Sequence, residues 1–141
     1  MKTPAYWLAK YYPEPASEAA KRSWVDALEH SIRKWTGLRK KALGPQFWID
    51  RAGDLMCGIE PVLEVSTKTC AMCQRAEAGG RLECSRCPLA LARGGVHCDR
   101  NARGEDLSPY AAFTEHRDPE PMLALLRSAR KIAKKLDKEG K

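Results

Sequence analysis

Two Cys-x-x-Cys pairs in the middle of the chain constrain its fold more than any other feature. The first pair is Cys70 and Cys73, the second is Cys84 and Cys87, and ten residues separate them. Each pair can hold one edge of a tetrahedral ion, and four thiolates complete such a site. The interval is polar and has no apolar run that could form a core of its own. We therefore predict a structural Zn²⁺ site with these four cysteines as ligands.

Other donors and other chemistries remain open beside this prediction. Cys98 follows Cys87 after ten residues and is an alternative ligand, or else a small buried hydrophobe. His97 is a weaker candidate. An iron–sulfur cluster also takes four thiolates, and spacing alone does not separate it from zinc. Ordinary thiols or disulfides are the third interpretation, which a reducing compartment disfavours. Cys57 lies outside the pattern and is predicted to belong to the core.

The flanking segments predict a mainly α protein with a small β component. Apolar residues recur every three or four positions from Ser17 to about Leu43, and again from Asp118 to Lys138. We expect two long helices packed together, with a zinc-ribbon-like cysteine module and short helices inserted between them. The second helix would carry an apolar stripe on one side and a basic face on the other.

Shorter elements are predicted between and before these helices. Val62–Val65 reads as a strand that pairs with Arg81–Glu83, forming the hairpin of a zinc ribbon. Pro88–Arg93 and the segment that starts at Ser108-Pro109 read as short helices, because proline is tolerated in a first helical turn. The segment from Tyr6 to Pro15 reads as an extended arm that packs on the core.

At 141 residues the chain has the length of one domain. Within residues 1–141 we distinguish an N-terminal arm and long helix (1–45), a zinc-knuckle module (62–103) and C-terminal helices (107–138), of which the last is basic and amphipathic. No apolar run approaches the length that spans a bilayer, and the N-terminus lacks the apolar core of a signal peptide. We expect no membrane association and a cytoplasmic location.

Positive charge is concentrated in three parts of the chain. The formal net charge is +7, and residues 1–50, 68–103 and 117–141 each carry a net +4. Such a field attracts phosphate groups or acidic protein surfaces. We predict a binding surface made of basic residues from the cysteine module and the last helix: Arg75, Arg81, Arg86, Arg93, Arg127, Arg130, Lys131, Lys134, Lys135 and Lys138.

An enzymatic site is not expected from these residues. His97, Asp99, Asn101 and His116 are similar in type to the residues of an HNH nuclease, but their order along the chain does not match that motif. A zinc ion held by four thiolates has no open position for catalysis. An HNH-like nuclease is therefore only a remote alternative.

The cysteine pattern resembles that of small cysteine-knuckle proteins of phages and mobile elements. It consists of CxxC, then CxxCPL, GxxC and a nearby Pro-Tyr. The resemblance covers residues 24–126 and includes Cys98, Gly95 and Ser108-Pro-Tyr110. In such proteins all five cysteines belong to the motif, which raises the standing of Cys98 as a ligand, but no established activity comes with them.

The sequence thus predicts a non-enzymatic, zinc-stabilised binding protein. It would act as a phage or mobile-element accessory that engages nucleic acid or the nucleic-acid-binding surface of a partner, such as a host nucleoprotein complex. The alternative is an inhibitor or adaptor that binds an acidic surface of a host defence or regulatory enzyme.

Overall fold

A computed structural model describes residues 2–78 and 80–141, and in this part the chain is mainly α-helical, as predicted. No helix within these residues is both long and apolar enough to cross a bilayer. The helices are α1 (Pro4–Tyr11), α2 (Ala16–Arg22), α3 (Trp24–Gly37), α4 (Ala71–Ala76), α5 (Pro88–Ala92), α6 (Pro109–His116), α7 (Glu120–Ser128) and α8 (Arg130–Lys138). The strands are β1 (Phe47–Ile49), β2 (Leu55–Cys57), β3 (Glu60–Leu63), β4 (Glu77–Ala78) and β5 (Arg81–Leu82).

Helix α3 is the centre of the fold, and α1, α2, α4, α7 and α8 all contact it. Trp24, Leu28 and Trp35 of α3 are fully buried. The ring of Trp35 meets Phe113 of α6 edge-on, with 4.8 Å between centroids. Helices α7 and α8 carry the predicted apolar stripe, and both contact α3. The predicted packing of this stripe against the first helical segment is confirmed.

Both long helices of the prediction are broken into two. Ser23 is extended, with φ −170°, and its hydroxyl accepts a hydrogen bond from the Asp26 amide, so a new helix starts there. Ala129 separates α7 from α8. Helix α3 also ends at Gly37, before the predicted end near Leu43. The apolar period continues across the breaks, which is why the sequence pattern does not show them.

The predicted extended arm is wrong, because residues 4–11 are helical. The Thr3 hydroxyl caps this helix by accepting a hydrogen bond from the Tyr6 amide at 3.1 Å. The predicted packing is present: Trp7 is buried, and its indole nitrogen donates to the carbonyl of Gly37 at 2.8 Å. Helix α1 is thereby fixed to the end of α3.

The predicted strand pairing is also wrong. Strands β1, β2 and β3 form an antiparallel meander in which Phe47 is opposite Cys57 and Leu55 is opposite Leu63. Strand β5 pairs with β4, its neighbour in sequence, and not with β3. The short helices at Pro88 and Pro109 are confirmed.

Buried His30 makes stability depend on pH. Its Nε2 bonds to the Glu14 carbonyl at 2.8 Å, while Nδ1 has no partner in the described chain. Burial lowers the pKa of His30 from its ordinary value of 6.5, so near and below that pH the folded chain holds fewer protons than the unfolded chain. The free energy of unfolding should therefore fall as pH decreases from about 7 to about 5.

Urea unfolding at the two pH values checks this prediction. His30→Gln retains a donor for the Glu14 carbonyl but does not titrate, so its loss of stability on acidification should be smaller than that of the wild type. Equal losses in the two proteins would show that His30 is not responsible.

Candidate metal centre and basic groove

Five cysteines lie near one another: four of them line one cavity, and Cys70 contacts Cys73. Cys70 precedes α4, and its sulfur accepts a hydrogen bond from the Cys73 amide at 3.2 Å. Cys84 opens the 3-10 turn Cys84–Arg86, and Cys87 precedes α5. Cys98 lies before α6, where its carbonyl accepts from the Tyr110 amide at 3.1 Å. The helix starts and turns therefore fix the backbones that carry the thiols.

Four of these cysteines line a small cavity. Its volume is about 20 Å³, and Cys73, Cys84, Cys87, Cys98 and His97 line it. A space of this size holds about one water-sized sphere. The rest of the wall is apolar and consists of Ala76, Leu82, Leu89 and Ala90. Cys84 and Cys87 of the second pair thus face the same cavity as Cys73 of the first pair. The alternative ligand Cys98 and the weaker candidate His97 face it too.

Cys70 differs electrostatically from its neighbours. A hydrogen bond from the Cys73 thiol and the charge of Lys34 lower the pKa of the Cys70 thiol to about 6. That same hydrogen bond raises the pKa of Cys73. Burial raises the pKa of Cys84, of Cys87 to about 12, and of Cys98. Without a cation among them, only one of the five thiols is therefore readily ionised.

Lys34 is the main feature of this region that the sequence analysis missed. Its side chain is 1% exposed, and its ammonium donates to the Thr69 carbonyl at 2.9 Å. A signal was present in the sequence, since Lys34 follows Ala27 and Ser31 at helical spacing and precedes Leu38 by four residues. Ala27, Ser31 and Lys34 form a second buried line on α3, beside the apolar stripe that the sequence analysis used.

The arrangement of the side chains stops short of a formed metal site. All six cysteines lie in the described part of the chain, and each is a free thiol. Within residues 2–78 and 80–141, no three or more His, Cys, Asp or Glu side chains are placed so that they could hold one ion together. Cys57 is half-buried in β2, outside this cluster. Zinc binding and the zinc-ribbon-like module therefore stay predictions.

Two of the predicted basic residues form ion pairs within the protein, and most of the others are exposed. Arg93 is not available at the surface: its side chain is 8% exposed, and its guanidinium pairs with Glu105 and the His97 carbonyl. Arg130 pairs with Glu29 at 3.1 Å on the surface. The other candidates on the last helices and in the module are exposed, except for half-buried Arg75: Arg81, Arg86, Arg127, Lys131, Lys134, Lys135 and Lys138.

Two of the predicted arginines line a groove of about 370 Å³ beside the cysteine cluster. Arg75 of α4 and Arg86 of the 3-10 turn meet Lys21 and Lys141 there. The other lining residues are Ser17, Ala20 and Gln74, so none of the described residues in the wall has an acidic side chain. Glu18 and Glu139 contact the two lysines at 3.3 and 3.7 Å.

Arg75 is held firmly in this groove. Its guanidinium donates to the Ala20 carbonyl at 2.8 Å and lies 5.2 Å from the centre of the Trp24 ring. It therefore joins α4 to α2 and α3 while facing the groove. Lys21 was missed because nothing in its local sequence shows that α2 packs beside α4; that proximity arises only in the folded chain.

The residues of the nuclease alternative do not share one site. His97 lines the cysteine cavity, whereas His116 lines a different cavity together with Lys40 and Lys41. The Asn101 amide donates to the Asp106 carbonyl at 3.1 Å. This placement gives no support to a paired-histidine catalytic centre.

Fold and site together define a small, mainly helical protein with a cysteine-lined cavity and an adjacent basic groove. No family model, no curated protein and no solved structure matches the chain. The likeness to phage cysteine-knuckle proteins therefore remains a prediction.

Proposed function

We propose that this chain is a zinc-stabilised binding protein whose basic groove contacts the phosphate backbone of nucleic acid. The observation that carries the proposal is the groove itself, in which Lys21, Arg75, Arg86 and Lys141 converge and no described residue of the wall is acidic. Phosphate contacts by lysine and arginine supply most of the affinity in sequence-independent binding. No helix carries the pattern of a base-reading motif, so we propose no sequence preference.

The metal part of the proposal is supported by the donor set around the cavity. Thiolates are the ligands that zinc prefers in structural sites, and four cysteines face a space of about one atom's size. We propose that zinc is held there by four of the five thiols Cys70, Cys73, Cys84, Cys87 and Cys98. When bound, the ion would cross-link the start of α4, the 3-10 turn and the loop before α6.

The two parts of the proposal are connected through the CxxC segments. Arg75 lies two residues after Cys73, and Arg86 lies between Cys84 and Cys87. A metal that joins the two segments would therefore fix the spacing between two of the four cations in the groove. The exposed lysines of α8 lie on the helix that ends three residues before Lys141. The proposed role of zinc is thus to hold a binding surface in shape, without catalysis.

Fluorescence anisotropy with a labelled random duplex and a labelled single strand tests the nucleic-acid proposal. Lys21→Glu with Arg86→Glu should weaken binding about 10- to 100-fold at low salt, since two phosphate contacts become repulsive. The slope of log affinity against log salt should become shallower by about 2. Lys131→Glu with Lys134→Glu tests the contribution of α8 in the same way.

The matched control is Arg51→Glu with Arg103→Glu. Both residues are exposed, neither lines the groove, and the change in net charge is identical. If the control weakened binding as much as the groove variant, the effect would come from net charge and not from the groove. Absence of binding to either nucleic acid at low salt would refute the proposal and leave an acidic protein as the partner to test.

A further inference from the structure

Lys34 places a positive charge inside the protein, next to the cysteine cluster. Only 1% of its surface is exposed, and its one hydrogen bond in the described chain goes to the carbonyl of Thr69, the residue before Cys70. The ammonium also lies 5.5 Å from the centre of the Trp35 ring. The Thr69 carbonyl and the Trp35 ring stabilise the ammonium in part, but neither group carries a negative charge.

The usual counter-ion of a buried lysine is missing from its surroundings. Among residues 2–78 and 80–141, no carboxylate oxygen lies within 4.0 Å of the Lys34 ammonium. The groups that act on it electrostatically are Cys70, Cys73 and Cys98. Burial lowers the pKa of Lys34, and negative charge on these sulfurs opposes that change. A buried charge without a partner is costly, and among the described residues these thiols are the groups that could compensate it once they are ionised.

A zinc ion with four thiolates has a net charge of −2, because the ion brings +2 and the ligands bring −4. We infer that Lys34 is the counter-cation of this thiolate site: its buried ammonium offsets part of the excess negative charge when metal is bound, an inference that rests on the proposed zinc site. In the metal-free chain this excess negative charge is absent, and the same ammonium loses the partner that the bound site provides. Lys34 thereby couples metal occupancy to the stability of α3, the central helix.

We expect Lys34→Met to lower the affinity for zinc without lowering the stability of the metal-free chain. Lys34→Met keeps the length and apolar stem of the side chain but removes the charge. Zinc affinity should fall about 10- to 100-fold, as is typical when a residue that supports metal ligands is lost. The metal-free form should be at least as stable as metal-free wild type, because the buried position then holds an apolar side chain of similar length and no desolvated charge. A purely structural role for Lys34 would instead destabilise both forms equally.

The experiment uses the full chain at neutral pH. Zinc affinity is measured by competition with a chromophoric chelator, and stability by urea unfolding with and without zinc. Lys40→Met is the matched control, since Lys40 is exposed and does not line the cysteine cavity. It should leave both quantities within about twofold of wild type. The absorption of bound Co²⁺ reports separately whether the thiolate set stays intact in each variant.

Three results would overturn the inference. Equal zinc affinity in Lys34→Met and wild type would show that the ammonium does not act on the site. A Lys34→Met chain that cannot fold even without metal would show that the residue is needed for packing, contrary to the relief expected. Wild type that binds no zinc would refute the proposed metal site itself, and this result differs from the first because affinity is then absent in both proteins.

Discussion

Replacing Cys87 by serine should abolish zinc binding and unfold the middle of the chain. Cys87 is buried, lines the cavity and precedes α5, so its loss removes a proposed ligand at a point where three segments meet. Structural zinc contributes about 10–16 kcal/mol of apparent binding free energy in small zinc-dependent modules, which exceeds the stability of many whole domains. Elemental analysis should give about one zinc per wild-type chain and almost none for the variant.

Limited proteolysis reports the structural consequence. In the described part of the segment between the two CxxC pairs, the last residues of α4 are followed only by the two-residue strands β4 and β5, so few hydrogen bonds would hold this hairpin without metal. Cleavage there should become much faster in Cys87→Ser and in chelator-treated wild type. Cys57→Ser is the matched control, because Cys57 lies in β2 and outside the cavity wall. Wild type that is free of metal yet resists protease would contradict the prediction.

A scan of the remaining cysteines assigns the ligands. Serine at Cys73, Cys84 or Cys98 should remove zinc if the ion binds to the thiols of the cavity wall. Serine at Cys70 should remove it only if Cys70 belongs to the set in place of one of these. If Cys98→Ser retained zinc and Cys70→Ser lost it, the ligands would be the four cysteines of the two CxxC pairs.

Replacing Gly37 by alanine should destabilise the protein by about 1–3 kcal/mol, even though alanine normally favours a helix. A Cβ at this position would lie 2.6 Å from Tyr11 Cβ and 2.8 Å from Trp7 Cζ2, both closer than non-bonded carbons allow. These atoms belong to α1, which rests on the Gly37 backbone through the indole hydrogen bond of Trp7. Helix α1 would have to move away from α3.

Urea unfolding and tryptophan fluorescence measure the effect of Gly37→Ala. Displacement of α1 exposes Trp7, so emission of the folded variant should shift to longer wavelength. Gly44→Ala is the control, because the nearest atom to its Cβ would be Lys2 Cβ at 3.3 Å. If Gly37→Ala proved as stable as wild type, the close approach of α1 would not be a property of the protein in solution.

The sequence predicted those features that depend on local chemistry. Helix starts at Pro88 and at Ser108-Pro109 are visible because proline and a capping hydroxyl act within a single turn. The mainly α class followed from apolar periodicity, which is preserved even where Ser23 and Ala129 interrupt the helices. The interruptions themselves were missed, because a capping serine or a single turn residue need not disturb the apolar period.

Spacing of the cysteines predicted a zinc site, and this stays a prediction. Four of the five clustered cysteines line one cavity, but spacing did not indicate that Cys98 would be among them on equal terms with Cys84 and Cys87. Strand pairing could not be predicted, since β5 had two possible partners and the choice depends on how the chain turns between the CxxC pairs.

The sequence by itself determined that the protein is helical, basic and rich in paired cysteines, because composition, periodicity and spacing are properties of the chain before it folds. Only the tertiary structure decided which charges are usable: it buries Arg93 against Glu105, places Lys34 beside the thiols, and brings Lys21 to Arg75 and Arg86. The physical reason is that the energy of a charge depends on its distance from water and from other charges. Those distances are set by the packing of helices that are far apart in sequence.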